Sequence, residues 1–598
     1  MTLLEPDLDR STIDPEVQAD IDKFREVLRQ YQAGEIGDDV FRVFRLTNGI
    51  YGQRQGGTNQ MVRVKVPYGS MTPEQFDMIA DLVEEYSRGW AHITTRQNLQ
   101  FHYVQLDRIP DVMQHLASVG LTTREACGDT VRNIQGCHLA GACPHENLDI
   151  TPWAEAAYRH FVRNPIGQRL PRKFKINFSG CETDCGQAMF NDAGVIATTR
   201  TLPDGSTEAG FRVFIAGGLG TTPFAALALE DFTSREQLLP TIEAILRVFD
   251  QTGNRDNKLR ARMKWVVENL GFEEVQRRIL TTRKFLLASS SYPGGLPTEV
   301  RVDGDAPAGT STGAVSAIGQ GTPVSIGGPS PYDRWFQANV VRGIANGQVS
   351  AYAWAALGDI TADQFRAIAS IQRDFEVDIR LTNRQNLVLR GLDESQLPDL
   401  FQRLEAIGMA EAGAELVRDV VSCPGADTCN LAVTQSRGLA KAIGDALEEE
   451  GLGDVGGLRI NISGCPNSCG QHHAADIGFF GAERRANGRS APGYQMLLGG
   501  YVGQEQMHFG EGCGCRPRTT AEAAAQVVRR FRDERQAGES FRTWMERRRV
   551  QGDRRRPARP RPVPGLRRRQ GSTPTTTRPA PTWPRPASRS ARPDYDPR

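Results

Sequence analysis

Residues 93–100 read ITTRQNLQ, and residues 380–389 read RLTNRQNLVL. The shared T-x-R-Q-N-L run is one of four matches that recur in the same order. SMTPEQF at 70–76 answers DITADQF at 359–365. Cys137 and Cys143 answer Cys423 and Cys429, and Cys181 and Cys185 answer Cys465 and Cys469. The offset stays between 284 and 289 throughout. Chance supplies one such match, not four in register, so the chain is a duplication. Its two copies are expected to pack about a pseudo-two-fold axis.

Around the repeat each copy reads first as a small α/β segment. A helix pattern (PEQFDMIADLVEEYS, 73–87; DQFRAIASIQRDF, 363–375) precedes a strand pattern running through the repeat (91–104; 377–391). A second helix follows (110–120; 397–408). The cysteines come next, around KFKINFSGC (173–181) and LRINISGC (458–465), which alternate like strands ending in a turn. In the first of these, Lys173, Lys175, Asn177 and Ser179 fall on one face and Phe174, Ile176 and Phe178 on the other.

At 598 residues the chain exceeds one hydrophobic core. No apolar run approaches the ~20 residues that span a bilayer, and the acidic, Pro-broken start is no secretory signal. A cytoplasmic location is expected, where eleven cysteines point to metal or redox chemistry rather than disulfides. The formal charge is +1, yet residues 549–598 hold fourteen Arg against three Asp, so the body is mildly acidic. That tail is rich in Pro, Arg, Ser and Thr and is expected to be disordered. A nucleic-acid role for it is disfavoured, because no folded nucleic-acid motif accompanies it. A Gly-, Ser- and Pro-rich stretch near 303–331 marks a seam between the halves.

The second half carries CPGADTC and CPNSC, two cysteine pairs in Gly- and Pro-containing turns. Cys423, Cys429, Cys465 and Cys469 supply the four thiolates that a [4Fe–4S] cluster takes, one per iron. Structural zinc also takes four cysteines but favours shorter knuckles than the C-x5-C gap. Cys137, Cys143, Cys181 and Cys185 repeat the spacing. They read either as ligands of a second cluster or as buried thiols left by the duplication. Cys513 and Cys515 read as free thiols.

Together, the paired C-x5-C and C-x3-C motifs, the repeated T-x-R-Q-N-L segment and RKFK (172–175) resemble the sirohaem-dependent sulfite and nitrite reductases, over about residues 40–549. The resemblance implies an α+β fold of two pseudo-symmetric halves, each a ferredoxin-like part plus a sirohaem/[4Fe–4S]-binding part. The implied layout is an N-terminal extension (1–55), ferredoxin-like half 1 (56–125), cofactor domain 1 (126–300), linker (301–331), ferredoxin-like half 2 (332–412), cofactor domain 2 (413–548) and tail (549–598). It implies one sirohaem and one [4Fe–4S] cluster, with Cys469 bridging to the haem iron.

Sirohaem carries eight carboxylates and sulfite is a dianion, so both need cations when they leave water. The matching residues are Arg96, Arg132, Lys173 and Lys175. The lysines are read as oxyanion-binding proton donors, since lysine releases a proton more readily than arginine. Alone, they also read as two solvated lysines on an edge strand. Nitrite reductases of the family typically have Asn where this chain has Lys175, which favours six-electron reduction of sulfite to sulfide. Some sulfite reductases join a Tyr and a Cys covalently beside the haem, and Tyr68 and Cys127 match that pair. This chain departs from many members in keeping the first-half cysteines, and it has Gly457 opposite Lys173. No flavin or nicotinamide motif is present, so a ferredoxin is the expected donor. Nitrite reductase, a precorrin-modifying oxygenase and a zinc- or cluster-stabilised interaction protein with a basic tail are the alternatives.

Overall fold

The computed structural model describes residues 13–289, 330–342, 348–486, 489–512 and 520–552. Most of the expected linker, both Cys513 and Cys515, and everything beyond Gly552 lie outside the described residues. The helix Phe541–Gly552 runs past the boundary drawn at 548, and Arg549 pairs with Glu511 at 2.9 Å. Folded structure therefore reaches into the first residues assigned to the tail.

The repeat folds as a hairpin rather than as one long strand. Trp90–Ile93 and Leu99–Gln105 pair antiparallel, and so do Asp378–Leu381 and Leu387–Asp393. The reason is local turn chemistry. Thr94 Oγ1 accepts from the backbone N–H of Arg96 and Asn98, and Gln97 sits at φ 56°. Thr382 and Gln385 repeat this, with φ 74° at Gln385. Such Thr-capped turns satisfy the loop's donors without a ladder.

Each ferredoxin-like sheet has five strands, and each takes one strand from the other half. Asp359–Thr361 completes the first sheet against Trp90–Ile93, and Ser70–Met71 completes the second against Asp378–Leu381. Helices Pro73–Tyr86 and Ala362–Phe375 pack together beside this exchange, with Phe76 stacked on Phe365. The two units consequently share one hydrophobic core. The segment taken as an N-terminal extension belongs to it too. Ile50–Gly52 is the edge strand of the first sheet, and Ile21, Phe24 and Leu28 of helix Pro15–Gln32 are buried in the same core.

Each cofactor domain holds a five-stranded mixed sheet. Ile176–Ser179 lies inside its sheet, parallel to both Gln135–Gly136 and Ala193–Thr201. Ile460–Ser463 has the same place in the second domain. Phe174, Ile176 and Phe178 are fully buried, and Asn177 and Ser179 on the other face are buried as well. The edge-strand reading of Lys173 and Lys175 is thereby excluded. The pseudo-two-fold axis passes between Gln187 and Gln471, whose amides exchange hydrogen bonds at 2.8 and 2.6 Å.

The turns after these strands need glycine. A Cβ on Gly186 would collide with the Phe178 carbonyl oxygen, and one on Gly470 with that of Ile462. Gly470→Ala is expected to cost about 1–3 kcal/mol of stability through overpacking. The check is the urea midpoint, with loss of cluster iron alongside it.

Candidate active site

Arg96 stands in the first hairpin turn, so the turn, not a strand face, aims it. Its guanidinium donates to Asn177 Oδ1 (3.0 Å), Asn191 Oδ1 (3.4 Å) and the Asn133 carbonyl (2.7 Å). Its Nε is buried without a hydrogen-bond partner. Burial and the neighbouring Arg132 lower its pKa to about 9. Arg132 donates to the carbonyls of Ala126 and Gly128, so part of its guanidinium braces the loop around Cys127. Its pKa is lowered to about 10, first by burial.

Lys173 and Lys175 project from the strand lead-in toward the same region. No hydrogen bond or ion pair engages either ammonium among the described residues. Burial, then Arg132, lowers Lys173 to about 7, and Cys469 is among the groups that act to raise it. Burial, then Arg96, takes Lys175 well below its ordinary value. Arg262 completes the group. It forks onto the fully buried Asp192 at 2.8 and 2.7 Å, and Asp192 also accepts from the backbone N–H of Lys175 at 3.0 Å.

Cations thus outnumber carboxylates in this pocket. Arg63, Arg172 and Arg262 went unnoticed in the sequence, although the clustered basic run RARMK (260–264) is a signal for the last. Such an excess, with idle ammoniums and an orphaned Arg96 Nε, fits a polyanion.

The second-half quartet lies on the other side. Thr95, next to Arg96, donates from Oγ1 to the Cys469 carbonyl at 2.8 Å. Cys469 is exposed, Cys465 buried, and Cys423 and Cys429 lie between these extremes. Backbone N–H groups serve the sulfurs: Gly464 donates to Cys423 Sγ at 3.2 Å, and further backbone donors reach Cys429 and Cys465. Burial pushes Cys423 to about 11 and Cys465 to about 12, with Cys469 acting on both. Four facing thiols with N–H donors fit a cluster. Among the described residues, no three His, Cys, Asp or Glu side chains are arranged as ligands of one metal ion.

Tyr68 and Cys127 share no partner. Tyr68, at φ 41° in the turn Pro67–Gly69, lies near Glu155 and under the Arg380 guanidinium. The Cys127 thiol accepts from Arg63 at 3.4 Å.

The nitrite and sulphite reductase 4Fe-4S domain matches residues 127–284 and 413–551, and the ferredoxin-like half domain of the same enzymes matches 51–119 and 346–407. An assimilatory ferredoxin-dependent nitrite reductase of Haloferax mediterranei is 30% identical over 518 residues, 83% of this chain and 84% of that one. The chain belongs to the nitrite and sulphite reductase family. It is an oxidoreductase of that family, with the family's cofactors, sirohaem and a [4Fe–4S] cluster. A ferredoxin sulfite reductase of Mycobacterium tuberculosis is 29% identical over 494 residues, 81% of each chain. The solved structure of NirA from M. tuberculosis aligns with a TM-score of 0.71 at 27% identity, covering 89% of this chain and 95% of that one. Family members named for sulfite and for nitrite thus lie at similar distances. Among the described residues no helix is long and apolar enough to cross a membrane.

Proposed function

We propose that this family member reduces sulfite to sulfide with six electrons from a ferredoxin. The observation that carries the reading is the pair of partnerless ammoniums, Lys173 and Lys175, beside Arg96 and Arg132. Bound sirohaem and its cluster supply the electrons and the iron on which sulfur–oxygen bonds are cleaved. Arg96, Arg132 and Lys173 would hold the haem carboxylates and the oxyanion, and Cys469 would supply a thiolate to both cofactors. Lys175, whose pKa burial and then its cationic neighbours take well below the ordinary lysine value, gives up and regains a proton readily. Three oxygens leave as water, so a rechargeable donor suits sulfite. Ferredoxin as donor is supported by the ferredoxin-dependent relatives and by the lack of a flavin or nicotinamide motif. Buried free thiols suit a reducing, cytoplasmic setting.

Steady-state turnover with sulfite and with nitrite, on one preparation with reduced ferredoxin, tests the reading. The expected result is a higher kcat/KM for sulfite. A preference for nitrite overturns the substrate choice and leaves the family membership intact.

A further inference from the structure

The first-half cysteines find no use in the reading above, yet their surroundings duplicate those of the second quartet. In the turn between Cys181 and Cys185, Asp184 sits at φ 54° and Gln187 follows at φ 62°; in the turn between Cys465 and Cys469, Ser468 sits at 59° and Gln471 at 61°. Gly186 donates its N–H to Ser179 Oγ at 3.1 Å, as Gly470 does to Ser463 Oγ at 3.0 Å. Asn177 Nδ2 donates to the Gly186 carbonyl and Asn461 Nδ2 to that of Gly470. Cys137 N–H bonds to the Phe178 carbonyl, and Cys423 N–H to that of Ile462. Non-glycine residues rarely adopt positive φ. Two turns that keep it at both equivalent positions therefore keep one specialised shape.

The four thiols also meet in two cross-loop pairs. Cys143 hydrogen-bonds with Cys181, and Cys137 with Cys185, so each pair takes one thiol from the C-x5-C loop and one from the C-x3-C turn. Backbone N–H donors reach this set as well, from His145 to Cys143 and from Thr183 to Cys181.

What faces the two quartets differs. Opposite Cys469 stand the idle cations of the first half. Near Cys185 stand Tyr352, 2% exposed and hydrogen-bonded to His138 at 2.8 Å, and Arg384, the counterpart of Arg96. Arg384 is neutralised by Glu415 at 3.0 Å, with both side chains buried. The arginine that faces only amide and backbone oxygens in one half is thus paired with a buried carboxylate in the other.

We propose that Cys137, Cys143, Cys181 and Cys185 hold a second [4Fe–4S] cluster that shares no ligand with a haem. The cluster lies close to the catalytic centre. Cys185 and Cys469 each stand two residues before the glutamines whose amides join across the axis. This inference rests on the family's haem-and-cluster chemistry for the second half, and its test separates the two.

The experiment is iron, acid-labile sulfide and sirohaem content of the full-length protein purified without oxygen. The expected result is about nine iron atoms and eight sulfides per sirohaem, against about five and four for one centre. Cys181→Ser is expected to remove about four iron atoms while the sirohaem spectrum stays. About five iron atoms per sirohaem, with the first-half cysteines recovered as thiols or disulfides by mass spectrometry, overturns the proposal. So does unchanged iron in a folded Cys181→Ser protein. If that variant does not fold, the wild-type stoichiometry decides alone. Protein without sirohaem overturns the functional reading instead. Eight sulfides per chain then still support the second cluster, and four or fewer overturn it.

Discussion

Lys175→Gln is expected to lower kcat/KM for sulfite by about 10²–10³-fold, within the range that a positioned proton donor contributes. The side chain comes from the lead-in to an interior strand, beside Arg96 and Arg262, where its ammonium has no partner among the described residues. Glutamine keeps much of the volume and removes the proton. Lys175→Arg is the informative companion, since it keeps the charge and holds its proton far more tightly. Its expected signature is a lowered kcat with KM little changed. Sirohaem absorbance per chain must stay at the wild-type level in both. A Gln variant that turns over sulfite within threefold of wild type would falsify the proton-donor role.

Lys173 adds a pH dependence whose sign follows from its lowered pKa, about 7 in the fold against 10.5 ordinarily. Between those values the unfolded chain binds more protons than the folded one. The contribution of this group to stability therefore rises with pH through that window and is lost as pH falls toward 7. A bound polyanion favours the ammonium and flattens the slope. Denaturation of cofactor-free and haem-loaded protein at pH 7 and pH 9 checks it, and a steeper slope in the loaded form contradicts it.

The largest expected stability effect lies at Lys65. Its ammonium meets Glu125 at 3.1 Å, with side-chain exposures of 3% and 0%. Glu125 also accepts from the Arg163 N–H at 2.9 Å and from the Gln168 amide, so it anchors the loop leading to Cys127 and Arg132. Lys65→Met leaves a buried carboxylate without its counter-charge and is expected to cost about 3–5 kcal/mol. Adding Glu125→Gln removes the stranded charge and should recover part of the loss. Urea unfolding of the single and double variants measures this. A single variant as stable as wild type, or a double variant with no recovery, is incompatible with the pair acting as described.

Several features were legible in the residues alone because their causes are local. The alternation of Lys173, Lys175 and Asn177 with Phe174, Ile176 and Phe178 needs only the two-residue period of a strand. The quartet spacing and the four-fold match at one offset likewise need only the order of residues. Arg96, Arg132, Lys173 and Lys175 were singled out by the resemblance to the reductase family, and only the shared strand face of the two lysines follows from the residues themselves.

The remainder depended on which distant segments meet. The T-x-R-Q-N-L run looked like strand because Ile93 and Leu99 flank it with strand formers, while Thr94 makes it turn through side-chain hydrogen bonds. The exchange of Ser70–Met71 and Asp359–Thr361 between sheets leaves no local trace, since each strand pairs with residues about 270–310 positions away. The inequality of the two pockets is also tertiary. Arg96 and Arg384 occupy the same motif, yet Arg384 pairs with the Glu415 carboxylate while Arg96, among the described residues, bonds amide and backbone oxygens. The sequence by itself thus determined the duplication and the matched spacing of the two cysteine quartets. Only tertiary structure decided that Thr95, beside Arg96, bonds the Cys469 carbonyl while Glu415 pairs with Arg384, because charge balance among buried groups is settled by residues far apart along the chain.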